Sequence, residues 1–504
     1  MASARNRLLK ALKKAIVIIV CGLVIVMILI ATYAAFLWSR AKKTQREATC
    51  IRQALRAQGF KTELTDFDIT TDAPTQAREN ALLAYDTNPF EIRVIESLNL
   101  MPVTTNCAAP VIWQRESLQT TSSLVTWDEV RDPLVLKGNA LNTACETMLD
   151  EPIRLEVDAS SRSGTFISHI SSLSHLCSAL NVRALLELHD GHPEAAWTNL
   201  LSATRLATAW EPNGLVSFHL FRSHFITYAY ATTWQALQYD HWTDAQLALL
   251  QREWESMDLF TTVPDTAAFD CAQSLEDGRT WAEQPLWHYY SFWEVAKMTA
   301  EDFHSGYSEF KDGLKLLRYS KEGIFIDEQK LLLEMTNRVA QLRRAISSPT
   351  WAEMSAMPGV IINAAFQSQY TPAGENINFH RQSAQEVLVR IAPAEVRRRI
   401  LIVAIALERY RGRYGKYPAT LDSLVPEFLR TMPADFMDGK PLRYHLTDNG
   451  HFVLYSVGLD CVDNGGEMQS LVSEGLPFGM AEFWYSKKNV DIVWPQPLAR
   501  AQKN

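Results

Sequence analysis

Ala15–Trp38, AIVIIVCGLVIVMILIATYAAFLW, is 24 residues long and carries no charge. As a helix it rises roughly 36 Å, enough to cross a hydrocarbon layer about 30 Å thick. Fourteen of its residues are Ile, Val, Leu or Phe. At roughly −0.4 kcal/mol each, entry into lipid gains about 6 kcal/mol. Arg5, Arg7, Lys10, Lys13 and Lys14 precede the run, and Arg40, Lys42, Lys43 and Arg46 follow it. A buried core helix needs neither this length nor two basic flanks. Five positive charges against four bias the N-terminus toward the cytoplasm. The expectation is a single-pass protein of a bacterial inner membrane. Residues 1–14 form a cytoplasmic tail, Ala15–Trp38 is the transmembrane helix in contact with lipid, and the large C-terminal part is extracytoplasmic. The apolar run exceeds the roughly 7–15 residues of a cleaved signal peptide, which favours an uncleaved anchor.

The rest of the chain has an ordinary globular composition. Charged residues make up 21% and the formal net charge is −8. That balance argues against a basic face for nucleic acid, so no such partner is expected. Cys50, Cys107, Cys145, Cys177, Cys271 and Cys461 are even in number, which suits an oxidising compartment. Their wide spacing names no pairing, and buried free thiols account for them equally well. With no CxxC, neither a zinc knuckle nor a thioredoxin-type site has support.

Residues 44–348 read as a mainly helical domain. Gln45–Gln58 continues outward as a helix that Gly59 ends, and Phe60–Ile69 follows as an irregular piece. A helix starts at Asn80–Tyr85, and Thr104–Ser123, rich in Thr, Ser and Asn, reads as a loop. Helical spacing recurs over Trp127–Leu149, despite Pro133 and Gly138, and over Ile170–His189. Within Asn181–Pro212, Ala184, Leu185 and Leu188 make one apolar stripe, Gly191 a turn, and Ala195, Ala196, Leu200, Ala203 and Ala207 the facing stripe. This small-large-small spacing resembles one tetratricopeptide hairpin, and a generic helical hairpin fits the same residues. Further helices are expected over Leu215–Tyr239, Thr243–Trp254, Leu286–Phe310 and Gly323–Ser347. Trp281, Trp287, Tyr289, Tyr290 and Trp293 form an aromatic patch that suits a helical core or a contact with headgroups or a partner. Residues 349–393 read as a linker or arm leading to a second domain.

That domain spans 394–495, with 496–504 as a tail. Ala394–Tyr414 has Ile400, Val403, Ala404, Leu407, Tyr410 and Tyr414 on one helical face, and Arg397, Arg398 and Arg399 read as a solvated basic start. Gly415 and Pro418 stop the helix, and Leu421–Leu429 forms a short second one. Pro441–Leu446 and His451–Val457 flank Asp448-Asn449-Gly450, a hairpin signature. The acidic loop Gly458–Glu467 and the tail Asp491–Pro495 follow.

The series ALERYRGRYGKYPATLDSLVP, MPADFMDGKPLRYHL, FVLYSVGLDCVDNGG and DIVWP resembles the globular head of the type II secretion major pseudopilin. The whole chain also resembles uncharacterised single-anchor bacterial membrane proteins with this tail. The resemblance implies a Ser-x-Gly-x-Asp loop that binds calcium, with Asp460 and Asp491 as the carried-over positions. Asp463, Asn464 and Glu467 add side-chain oxygens of the kind calcium takes. An acidic solvated turn fits the same residues. Asp435-Phe436 stands where the family has Asp-Pro, and Cys461 where it has Gly. Here about 350 residues separate the membrane helix from the head, and the prepilin processing site is missing.

The sequence holds no HExxH, no G-x-S-x-G elbow, no Walker A and no Rossmann glycine fingerprint. His169, His175, His219 and His224 are spaced off any shared helix face, and His189 and His192 flank the hairpin turn. The expected fold is α+β: one N-terminal transmembrane helix, a mainly α-helical middle domain with a tetratricopeptide-like hairpin, and a small C-terminal pseudopilin-like α+β domain. The expected function is a membrane-anchored extracytoplasmic binding or scaffolding protein with a protein partner at the cell envelope and a secretion or pilus association. The alternative is an extracytoplasmic hydrolase with its site in the helical domain.

Overall fold

The computed structural model describes residues 2–68, 72–85, 111–112, 127–150, 164–210, 212, 214–239, 242–283, 323–357, 372–448, 450–466, 491–494 and 496–497. It is mostly helical, at 71%, with a small three-stranded sheet. The expected helix Leu286–Phe310, the aromatic patch apart from the backbone of Trp281, Glu467, Cys107 and the loop Thr104–Ser123 apart from Val111–Ile112 lie outside what is described. Two compact units emerge: Met1–Asp66 with Cys271–Asn337 and Gln367–Asn378, and Phe67–Asp270 with Arg338–Phe366 and Phe379–Asn504.

The first unit is built on α1 (Ala2–Ala57). No Gly or Pro occurs between Gly22 and Gly59, so nothing interrupts the helix where the apolar run ends. One helix near the N-terminus is thus long and apolar enough to span a membrane. Its apolar side chains Ile18, Met27 and Leu29 are more than 60% exposed, a surface suited to lipid. Beyond it Leu37, Ala41, Thr44, Ala48 and Leu55 are buried at helical spacing. Trp38 carries Lys42 over its ring at 3.7 Å, at the end of the apolar run. Gln329 Nε2 donates to the Thr44 carbonyl (3.0 Å), and the buried Glu328 pairs with Arg52 and with Arg279 (3.2 Å). Burial, and then the charge of Arg279, lower the pKa of Arg52.

In the second unit α2 (Ala73–Leu83) starts on Asp72, whose carboxylate accepts the Thr75 N–H at 2.9 Å. β1 is Val111–Ile112. The segment expected as one helix is two, α3 (Trp127–Leu136) and α4 (Gly138–Asp150), with the break at Lys137. α5 (Gly164–His189) and α6 (Pro193–Thr208) form the hairpin. Gly191 has φ +80°, and the next amide, His192 N–H, closes on the Glu187 carbonyl at 2.8 Å. Leu185, Leu188, Ala196, Leu200 and Ala203 are buried on both stripes. α7 (Ser217–Ala236) is buried almost all round, with Phe225, Ala229 and Trp234 at 0% exposure. α8 (Asp244–Glu255) opens on a capping box between Thr243 and Gln246. In chain order α9 (Val263–Glu283) and α10 (Ile324–Ile346) follow, each with residues in both units, and then the short α11 (Trp351–Ala356) of the second unit.

Helix ends in this unit are closed by arginines from elsewhere in it. Arg205 donates to the Met148 (3.3 Å) and Leu149 carbonyls of α4, Arg222 to Ala207 (3.0 Å) and Thr208 (2.9 Å) of α6, and Arg398 to Trp254 (2.9 Å) of α8. Each satisfies carbonyls a helix leaves open and places a cation at its negative end.

α12 (Pro372–Tyr414) corrects two expectations. It does not begin at Ala394 but runs through Pro393, because Val387, Leu388, Ile391 and Ala392 are fully buried and packing outweighs one missing N–H. Nor is it amphipathic in its second half: all eight residues Ile400–Leu407 are buried. Arg398 and Arg399 are not solvated. Arg398 forks onto the buried Glu395 at 2.7 and 2.8 Å, and Arg399 donates once to Glu395 at 2.6 Å and to the Ala434 carbonyl at 2.8 Å. The expected short helix at Leu421 is a single 3₁₀ turn, Leu421–Leu424.

The C-terminal sheet has order β2-β3-β4, all antiparallel: β2 (Arg443–Leu446), β3 (Phe452–Ser456) and β4 (Ile492–Val493). Arg443 faces Tyr455 and Leu446 faces Phe452, the register that the Asp-Asn-Gly turn sets. Ser456 faces Ile492. Beside β4, Trp494 packs edge-on against Tyr230 of α7 at 5.3 Å. β5 (Gln496–Pro497) pairs with β1.

Candidate functional site

A buried, densely hydrogen-bonded polar centre lies where the turn before the hairpin meets the sheet. Asp435 is fully buried and uses both carboxylate oxygens. Oδ1 accepts the Met437 N–H (2.9 Å) and the Ser456 hydroxyl (2.7 Å), and Oδ2 accepts Arg443 (2.8 Å) and the Val457 N–H (3.1 Å). Arg443 reaches on to Asp438 at 2.6 Å. Burial raises the pKa of Asp438, but the Arg443 hydrogen bond, the Lys440 N–H and nearby positive charge outweigh it and hold the group below its usual range. α11 docks on the same turn. Its Trp351 and Ala352 amides donate to the Phe436 (2.8 Å) and Met437 (3.0 Å) carbonyls, and the Trp351 indole N–H to Leu459 (3.0 Å).

The acidic loop is tied to the tail directly. Asp491 accepts the Asn464 N–H (3.1 Å) and the Gly466 N–H (2.8 Å). Burial raises its pKa against those two bonds, and the charges of Asp463 and Asp460 add to the rise. Asp463 accepts the Gly465 N–H (2.9 Å) and the Tyr455 hydroxyl (3.0 Å) and faces Arg443 at 3.5 Å. Asp460 accepts the Val462 N–H at 3.2 Å, and the Asn464 side chain donates to the Val462 carbonyl. Gly466 lies flat on the Tyr455 ring, where a Cβ would stand 2.7 Å from Cδ1. The oxygen donors suit a hard cation in kind. Among the described residues no three His, Cys, Asp or Glu side chains group as a metal-ligand set.

A second feature is a cavity of about 520 Å³ at the C-terminal end of α12, lined by Leu237, Tyr239, Trp242, Asp244, Leu247, Glu408, Arg409, Arg411, Gly412, Arg413 and Gly415. Arg409 holds Asp244 at 2.7 Å and also reaches Gln251 (3.1 Å). Glu408 accepts the Tyr417 hydroxyl (2.7 Å) and pairs with Arg411 (2.9 Å). Arg413 pairs with Glu427 and lies 3.9 Å from Asp244. The Arg409 hydrogen bond keeps Asp244 below the usual carboxylate range, so it is a poor general acid.

The histidines singled out by spacing join no metal-ligand set among the described residues. His219 is buried with Nε2 3.2 Å from the Thr266 hydroxyl, and His169 faces Glu79 at 3.6 Å. The six cysteines described are all free thiols. Spacing alone missed both the Asp435 centre and the cavity. The signals were Asp435 followed by Asp438-Gly439, a turn pattern with an acid to satisfy, and Arg-Tyr-Arg-Gly-Arg at 409–413. Compared with family models, curated proteins and solved structures, the chain matches none.

Proposed function

We propose that this chain is a single-pass, membrane-anchored binding or scaffolding protein of the bacterial inner membrane, with its folded part outside the cytoplasm. The observation that carries the reading is the unbroken α1, which leads from an uncharged, lipid-suited stretch straight into a buried stripe and the Arg52–Glu328–Arg279 cluster. A helix without a hinge holds the unit it enters at a set distance from the bilayer, which suits a scaffold. The Arg409 hydrogen bond that keeps Asp244 ionised in the cavity favours binding over acid catalysis by that residue.

The pseudopilin-like reading of the C-terminal segment belongs to the same proposal. Its support is the order of helix, turn at Gly415, 3₁₀ turn, Asp435 turn, hairpin and a loop tied to the tail. A secretion- or pilus-like machine is the partner class that reading favours, and calcium at Asp460, Asp463, Asn464, Glu467 and Asp491 goes with it. The test is crosslinking in intact cells, membrane fractionation and mass spectrometry of what copurifies. We expect the full-length chain in the membrane fraction, open to external protease after outer-membrane permeabilisation, with envelope proteins attached. Recovery of the intact chain in the cytosol overturns the reading.

A further inference from the structure

We infer that α1, just beyond its apolar run, is a binding surface for the phosphate groups of anionic phospholipids, with Lys42, Lys43 and Arg46 as its cations. This deepens the membrane-anchored reading above and rests on it. The first observation is charge. From Trp38 to Thr49 four cations, Arg40, Lys42, Lys43 and Arg46, stand against one carboxylate, Glu47. Lys42, Lys43 and Arg46 are exposed, whereas Leu37, Ala41, Thr44 and Ala48, on the other side of the same turns, are buried. The charge is not spent within the chain. Among the described residues neither Lys42 nor Arg46 has a carboxylate partner. Lys43 lies 3.9 Å from Glu47, too long for a hydrogen bond, and its side chain is 80% exposed.

The second observation is direction. A helical side chain leans toward the N-terminus of its helix. In α1 the apolar run lies that way, so the cations that follow it lean back over its end. Two contacts show the lean. The Lys42 ammonium stands 3.7 Å from the centre of the Trp38 ring, and the Arg40 guanidinium 5.7 Å from that of Phe36, each four residues back. An ammonium over a ring keeps N–H donors for an oxygen acceptor. By the same rule Lys13 and Lys14, which precede the run, lean away from it. The third observation is depth. Lys42 and Lys43 follow Trp38 by about 6–8 Å along the axis and Arg46 by about 12 Å. The polar layer on each side of the hydrocarbon is about 5–8 Å deep. The two lysines therefore stand level with headgroup phosphates, and the long Arg46 side chain reaches back to them. Phosphates are the anions an anchored helix meets at that depth, and their oxygens suit several cationic donors at once.

The test is native mass spectrometry of the full-length chain in detergent micelles, titrated with phosphatidylglycerol or with phosphatidylcholine of the same acyl chains. We expect phosphatidylglycerol to bind about fivefold more tightly, the factor one cation at a membrane surface supplies. Lys42→Gln, Lys43→Gln and Arg46→Gln together should bring the ratio to about one, with a circular dichroism melt like that of wild type. Lys42→Arg with Lys43→Arg should keep the preference, and so should Lys13→Gln with Lys14→Gln. Equal binding of the two lipids by wild type, or a preference unchanged in the triple variant, overturns the inference. An equal loss in the Lys13 and Lys14 variant overturns it too, because the preference then belongs to both flanks alike. Displacement of phosphatidylglycerol by inorganic phosphate at equal concentration assigns the surface to a free anion and overturns the lipid claim. Flotation of the same preparations with phosphatidylcholine vesicles separates this inference from the anchor. A chain that floats without lipid preference loses this inference alone, and a chain that does not float loses the anchor and this inference with it.

Discussion

Removing the Asp435 carboxylate should be among the most costly single changes in the second unit. In Asp435→Ala the Met437 and Val457 amides lose their acceptor at a site with no access to water, and the backbone there cannot turn them elsewhere. The Ser456 hydroxyl loses its partner as well but can rotate. At about 1–3 kcal/mol per orphaned buried donor, the two amides alone cost about 2 kcal/mol or more. Arg443 keeps Asp438, which limits the loss from the broken ion pair. The total comes to about 4 kcal/mol, within the range for removing one partner of a buried pair. Asp435→Asn keeps one oxygen but sets its NH₂ against donors on either side, and should cost about 2–3 kcal/mol. Asp438→Ala leaves Arg443 bound to Asp435 and should cost about 1 kcal/mol. Urea denaturation of the full chain in detergent, followed by tryptophan fluorescence and read as midpoint shifts at constant slope, measures all three. The predicted order is Asp435→Ala, then Asp435→Asn, then Asp438→Ala. An Asp435→Ala protein within about 1 kcal/mol of wild type, or an Asp438→Ala loss as large, refutes the claim that Asp435 anchors this turn.

Two other outcomes follow from titrating groups. Burial, with the Arg222 charge second, lowers the pKa of His219 from 6.5 to about 3. The unfolded chain therefore takes a proton that the folded chain refuses. The stability this site contributes is whole above about pH 6.5 and falls as pH drops toward 3, by up to roughly 1.4 kcal/mol per pH unit. His219→Gln should flatten the acid side of a stability–pH curve, and an unchanged slope rules the site out as its source. For the acidic loop, calcium should raise the melting temperature of the full chain, and Asp460→Ala should remove the gain. Equal melting with and without calcium in both proteins ends that proposal.

What the sequence revealed depended on how far apart the deciding partners lie. The uncharged run Ala15–Trp38, the helix carried on to Gly59, the turn at Gly191 and the hairpin around Asp448-Asn449-Gly450 rest on neighbours a few residues away, and each was readable. The interior of the second unit was not. Arg398 meets the Trp254 carbonyl across 144 residues and Arg409 meets Asp244 across 165, and no local pattern encodes such a meeting. A basic run at a helix start reads as solvated because a lone guanidinium is expensive to bury. These become affordable only once Glu395 and open helix carbonyls are brought to them. Yet a warning stood in the chain: Ile400–Leu407 is eight apolar residues in a row, too many for a helix with one wet face. A helix buried all round must find neighbours for its flanks as well. The charges just before and after such an octet therefore read better as ties to other elements than as solvent coverage. By the same logic the arginines after it line a cavity rather than a bare surface.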